Sequence, residues 1–253
     1  MLPLSAEAHR QLLDLVLSPA VAARLRGLDP GPLAGLGVSV GLAVAARRSL
    51  VGDARALAGP PAPARRSASA LALAVLLAAT LTAVAGTAGS PWGGWRVAWS
   101  QSPYAMGLGL LADGVLVMAA ARAPAGRRDG VEWGGGVALG LGVAAAALPG
   151  VSRVAVALSL SLWLGLRPRR AVEIAWICAL AGQLAAVVVA AVAAPAATTR
   201  GTVVLGAVVA FVSTLAASRL LVALIARGRL TPLAAWLLTL GVASIAYARA
   251  LPA

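Results

Sequence analysis

The sequence predicts an all-α polytopic membrane protein with six transmembrane helices, at least one re-entrant hairpin and inverted-topology repeats. Three observations predict it: the composition, the lengths of the apolar runs, and the placement of the arginines. Of 253 residues, 60% are hydrophobic and 11% charged, and mean hydropathy is +0.91. A soluble domain carries about 25% charged residues. The chain therefore buries itself in lipid rather than in water.

Apolar spans run over about 31–46, 67–86, 104–121, 171–194, 202–226 and 231–250. A spanning helix needs about 20 apolar residues. The first span is short by that measure. Two further apolar arms, 133–148 and 154–166, are shorter still, and Pro149-Gly150 would break them if they were joined as one helix.

The arginines orient these spans. Loop 47–66 carries Arg47, Arg48, Arg55, Arg65 and Arg66. Loop 122–130 carries Arg122, Arg127 and Arg128; loop 167–170 carries Arg167, Arg169 and Arg170; loop 227–229 carries Arg227 and Arg229. Loops 87–103 and 195–201 carry one arginine each. The positive-inside rule makes the first four cytoplasmic and the last two external. Trp92, Trp95 and Trp99 in the sparse loop suit an external aromatic belt.

Segment 131–166 thus starts and ends on the cytoplasmic side, with arms too short for two crossings. It reads as a re-entrant hairpin with Leu148-Pro149-Gly150-Val151-Ser152-Arg153 at its tip. Broken backbone at that depth is tolerated only inside protein or beside a wet cavity. Residues 2–5 (LPLS) echo 148–152 (LPGVS), and each is followed by three spans of opposite orientation. The chain 1–253 is therefore read as one membrane domain of two inverted repeats. Repeat 1–130 holds an incomplete first re-entrant element plus three helices. Repeat 131–253 holds the hairpin plus three helices.

The net charge of +13 comes from arginine alone, with no lysine. Its clusters lie between apolar segments, so no nucleic-acid partner is expected. No cleavable signal peptide is expected either, because no basic stretch leads directly into an apolar core. The single cysteine, Cys178, has no disulfide partner and reads as a buried small apolar group.

Few polar residues enter the apolar interior. Arg153 costs about 2.5–3.5 kcal/mol at a bilayer centre on insertion scales. It is either a structural arginine with a partner or an oxyanion clamp, because guanidinium matches phosphate bidentately. The Pro-Gly turn can also offer backbone N–H groups to an anion, through Gly150 and Ser152. Ser5, Glu7 and His9 form a second polar group near the N-terminus. Glu173 suits a first-turn position beside an arginine. Asp113 and Gln183 read as interhelical polar contacts. The glycines of 134–142 and 105–109 read as close helix packing. GGGVALGLG is no dinucleotide fingerprint, since no strand precedes it.

LPGVSR and LPLSAEAH together resemble the undecaprenyl-diphosphate phosphatase, or bacitracin-resistance, family. That family carries E-G-x-x-E-F-L-P-x-S-S-T-G-H near its N-terminus and P-G-x-S-R-S-G in its second half. The similarity runs from about Gly140 through Pro149, Gly150, Ser152 and Arg153 to Gly165 and Glu173. It resumes from Phe211 to Leu230-Thr231-Pro232, and LGVSVGLAVAARRSL (36–50) resembles the family's first full span.

The resemblance implies a bacterial cytoplasmic (inner) membrane phosphatase that converts undecaprenyl diphosphate to the monophosphate. That reaction recycles the lipid carrier for cell-wall peptidoglycan. It implies Arg153 as phosphate clamp, His9 as proton carrier or nucleophile, and Ser5 or Ser152 as hydroxyl donor, with Glu7 and Glu173 in support. It also implies a polyprenyl phosphate lipid as partner, admits a homodimer, and admits a divalent cation such as Mg or Ca. The departures point to an alternative, a homologue that binds or translocates polyprenyl phosphate without hydrolysis. The acidic E-G-x-x-E would lie before Met1. Ala6 stands where the family has its second serine, Val143 where it has a glutamine, and Val154-Ala155 where it has S-G.

Overall fold

The computed structural model describes residues 32–87, 94–95, 98–99, 102–124, 126–193 and 200–250. The N-terminal candidates Ser5, Glu7 and His9 lie outside the described residues, as does Trp92. Eight helices make up the described chain: α1 (Pro32–Ala58), α2 (Pro63–Gly86), α3 (Pro103–Ala121), α4 (Trp133–Ala145), α5 (Arg153–Trp163), α6 (Pro168–Ala193), α7 (Arg200–Ala226) and α8 (Thr231–Ala250). The all-α expectation holds.

Among the described residues, five helices are long and apolar enough to cross a membrane: α2, α3, α6, α7 and α8. The sequence predicts six spans. The sixth, α1, has 27 residues, but its apolar run stops at Arg47-Arg48. The shortfall is thus one of apolarity rather than of length.

Small residues set the registers. On α4, a Cβ at Gly136 would strike the carbonyl oxygen of Ala70, and one at Gly140 would lie 2.7 Å from Leu77 Cβ and 3.0 Å from Ala74 O. Helices α2 and α4 therefore run parallel with backbones in near contact, a small-residue seam of the kind that holds helices together without a hydrophobic driving force. On α1, Gly37 meets Ala207 and Gly41 meets Thr214 of α7, so these two also run parallel. On α3, Gly107 meets Gly241 and Ile245 of α8 while Gly114 meets Leu238, an antiparallel pair. The Ser244 hydroxyl donates to Pro103 O at 2.7 Å and pins one end of that pair. The glycine-rich stretches are packing surfaces, as their sequence suggested.

These registers put the four arginine-rich loops at one end of the bundle. Polar contacts confirm it for three of them. Arg170 Nη2 lies 2.6 Å from Asp53 Oδ1, and Arg170 Nε donates to Asp129 O at 3.2 Å. Arg167 pairs with Asp129 at 3.0 Å. The backbone N–H of Arg128 donates to Gly165 O at 3.0 Å, and that of Arg167 donates to Arg128 O at 2.9 Å. Segment 131–166 therefore begins and ends at the same point. Its helices, at 1.5 Å rise per residue, are only about 20 Å (α4) and about 17 Å (α5) long. Neither matches the roughly 30 Å of a hydrocarbon core.

Substitution of Gly136 tests the seam. Gly136→Ile forces α4 off α2 and is expected to cost about 1–3 kcal/mol by overpacking. Gly134 has nothing within 4 Å of its virtual Cβ, so Gly134→Ala should gain up to about 1 kcal/mol from helix propensity. Thermal unfolding of the two purified variants reads the difference.

Candidate functional site

The tip of the short-helix hairpin is a turn built by its sequence. The N–H of Val151 donates to Leu148 O at 3.2 Å, closing Leu148-Pro149-Gly150-Val151. Pro149 sits where a turn wants φ near that of proline. Gly150 follows at φ +84°, where other residues are strained. This is a type II pattern.

Helix α3 forms a socket for that turn. A Cβ at Gly109 would lie 2.5 Å from Pro149 O and 2.7 Å from Gly150 Cα, so only glycine admits the turn there. One helical turn further on, the fully buried Asp113 accepts a hydrogen bond from the Ser152 N–H, 2.7 Å from Oδ2. The interhelical contact expected of Asp113 is thus a contact to the turn itself. Ser152 then caps α5, its hydroxyl oxygen accepting from Ala155 N–H at 3.3 Å. Ser152 is also buried.

These bonds bear on the anion-binding N–H groups expected of the turn. Those of Val151 and Ser152 are both committed inside the protein. Arg153 follows directly as the first residue of α5.

Arg153 reaches across to α6. Its Nη1 donates to Gln183 Oε1 at 3.2 Å. The neighbouring Gly182 makes this approach possible, since a Cβ there would lie 2.9 Å from Arg153 Cδ and 3.0 Å from Nε. The same point lies 3.6 Å from Thr82 Oγ1 of α2. Arg153, Gln183 and Thr82 therefore converge where α2, α5 and α6 meet. Gln183 was expected as an interhelical contact; its partner was not foreseeable.

Glu173 is elsewhere. It pairs with Arg169 (3.5 Å) and Arg170 (3.6 Å) at the loop end. Ten residues separate it from Gln183 along α6, about 15 Å of rise. Val143, where the resemblance leads one to expect glutamine, is fully buried in the core, as are Ala155 and Cys178.

A divalent cation does not fit the described part of this site. Its donors are a guanidinium, an amide and a hydroxyl, which suit an anion. Among the described residues no three His, Cys, Asp or Glu side chains gather to hold a metal, whereas hard cations take several oxygen ligands with carboxylates among them.

Fold and site together define a polytopic helical membrane protein with a half-buried arginine at the tip of a short-helix hairpin. The family model described as "Bacitracin resistance protein BacA" matches residues 1–243, and the chain belongs to that family. No curated protein matches the sequence.

Proposed function

We propose that the protein is an undecaprenyl-diphosphate phosphatase that recycles the lipid carrier in the bacterial cytoplasmic membrane. The observation that carries this reading is Arg153, set at a hairpin tip that the Val151 and Ser152 N–H bonds hold in place, with its guanidinium beside Gln183 and Thr82. Family membership supplies the substrate class.

The depth of the site suits the reaction. Thr82 lies four residues from the end of α2 remote from the arginine-rich loops. With those loops in the cytoplasm, the hairpin is re-entrant and Arg153 stands in the outer half of the bilayer. A diphosphate headgroup reaches it from the external surface while the polyprenyl chain stays in lipid. The helix pairings also support inverted repeats. Exchanging α1 with α6, α2 with α7 and α3 with α8 turns the α1–α7 contact into the α6–α2 contact and leaves α3–α8 unchanged.

Catalysis of this kind is mainly positioning and charge stabilisation. Arg153 binds the terminal phosphoryl group and neutralises the charge that builds on its oxygens. Gln183 fixes the guanidinium plane. Ser5 and His9 would supply the hydroxyl and the proton carrier or nucleophile.

A second reading is favoured by Ala6, Val154 and Ala155 at positions where the family carries Ser, Ser and Gly. In it the chain binds or translocates polyprenyl phosphate without hydrolysis. Phosphate release from undecaprenyl diphosphate by purified protein in proteoliposomes decides between them. Release above empty vesicles supports the phosphatase. Saturable lipid binding with no release establishes the second reading.

A further inference from the structure

We infer that Thr82 is a ligand-binding residue of the Arg153 site, its hydroxyl donating to an oxygen of the phosphate that Arg153 holds. The inference rests on the reading of Arg153 as a phosphate clamp and extends that site to a third helix.

Thr82 is 3% exposed, and its Oγ1 is buried without a hydrogen-bond partner. A helical threonine or serine has a default remedy, the carbonyl four residues earlier. Other helical hydroxyls of this protein use it: Ser39 donates to Gly35 O (2.9 Å), Thr214 to Ala210 O (2.7 Å) and Thr239 to Ala235 O (2.9 Å). Thr82 does not. Leaving a buried hydroxyl unbonded costs stability.

The location of this hydroxyl gives it a purpose. A Cβ at Gly182 would lie 3.6 Å from Thr82 Oγ1 and 3.0 Å from Arg153 Nε, so the two groups face the same Gly182 position. A hydroxyl and a guanidinium that come together at one point are two donors for one anion. Ser159 and Ser161 of α5 are also buried without partners. They lie about two turns beyond Arg153 toward the loops, so they do not share this position.

Sequence carries a trace of the site. Ala70, Ala74, Ala78 and Thr82 are spaced by four and all buried, so Thr82 continues the small-residue face of α2 as its one polar member.

The test is binding of farnesyl diphosphate, with farnesol as control, to the purified full chain, followed by ligand-dependent thermal shift. Thr82→Val keeps the shape and removes the hydroxyl. It should unfold at or above the wild-type temperature without ligand and bind farnesyl diphosphate at least tenfold more weakly. Thr82→Ser should bind within about threefold of wild type, because its hydroxyl can reach the same donor position. Gly182→Ala should also weaken binding, by pushing on Arg153.

Equal binding by Thr82→Val and wild type would overturn the inference. So would a fall in the ligand-free unfolding temperature of Thr82→Val, which would mean that the hydroxyl bonds within the protein. If wild type and Arg153→Ala both fail to bind farnesyl diphosphate, the clamp reading itself fails and the role of Thr82 falls with it.

Discussion

Arg153→Ala is expected to lower kcat for phosphate release by about 10²–10³, the loss typical of removing one preorganised donor to transition-state charge, or about 2.7–4 kcal/mol. Folding should survive the change, because a charged group leaves an apolar interior. Arg153→Lys should recover only a small part of the rate. An ammonium is a point charge and cannot hold Gln183 Oε1 while presenting a planar pair of donors to phosphate. Gln183→Leu should be milder than either, since it frees the guanidinium without removing it. Steady-state assays in proteoliposomes separate these cases. An alanine variant that keeps more than a tenth of the wild-type kcat would take Arg153 out of the chemistry.

The hairpin was legible in sequence because its signals are local and strong. Pro149-Gly150 breaks the apolar run, and arginines flank both arms. The structure adds what joins those flanks, the backbone pairing of Arg128 with Gly165 and Arg167. The glycine seams were legible as a class, but their partners were not. Nothing in the run Gly134–Gly142 says that Gly136 will meet Ala70. The same limit hid the site. Arg153 and Gln183 are 30 residues apart, and Asp113 and Ser152 are 39 apart. Such pairs form only when the helices dock, so one sequence could show that Arg153 needed company but not which residues keep it. Thr82 was hidden for another reason: a threonine in an apolar helix usually satisfies itself, and only the missing back-bond marks it. The first span illustrates the reverse case. Its marginal apolarity was visible in Arg47-Arg48, and the structure leaves α1 long yet outside the set of helices apolar enough to span.

Asp113 is where stability and chemistry should separate most clearly. The carboxylate accepts a bond from the Ser152 N–H, and this bond fixes the residue before Arg153. Asp113→Leu removes the acceptor and leaves a buried N–H unbonded, at a cost of about 1–3 kcal/mol. The turn can then relieve the N–H only by shifting off its socket at Gly109. Displacing a positioned group by about 1 Å can cost about 10²-fold in rate. Asp113→Leu should therefore unfold at a lower temperature and lose about 10²-fold in kcat, with the change in KM smaller. Asp113→Asn keeps an acceptor oxygen of the same reach. It should retain most of the rate while losing some stability, because a neutral acceptor makes a weaker bond than a carboxylate. If the two variants lose activity equally, negative charge rather than the hydrogen bond is what the site needs from α3. If neither loses activity, the turn is held by Gly109 packing and the cap of α5 alone. The pair thus measures whether the guanidinium is aimed by the buried Asp113–Ser152 bond, between residues 39 apart in sequence, or by the shape of the socket.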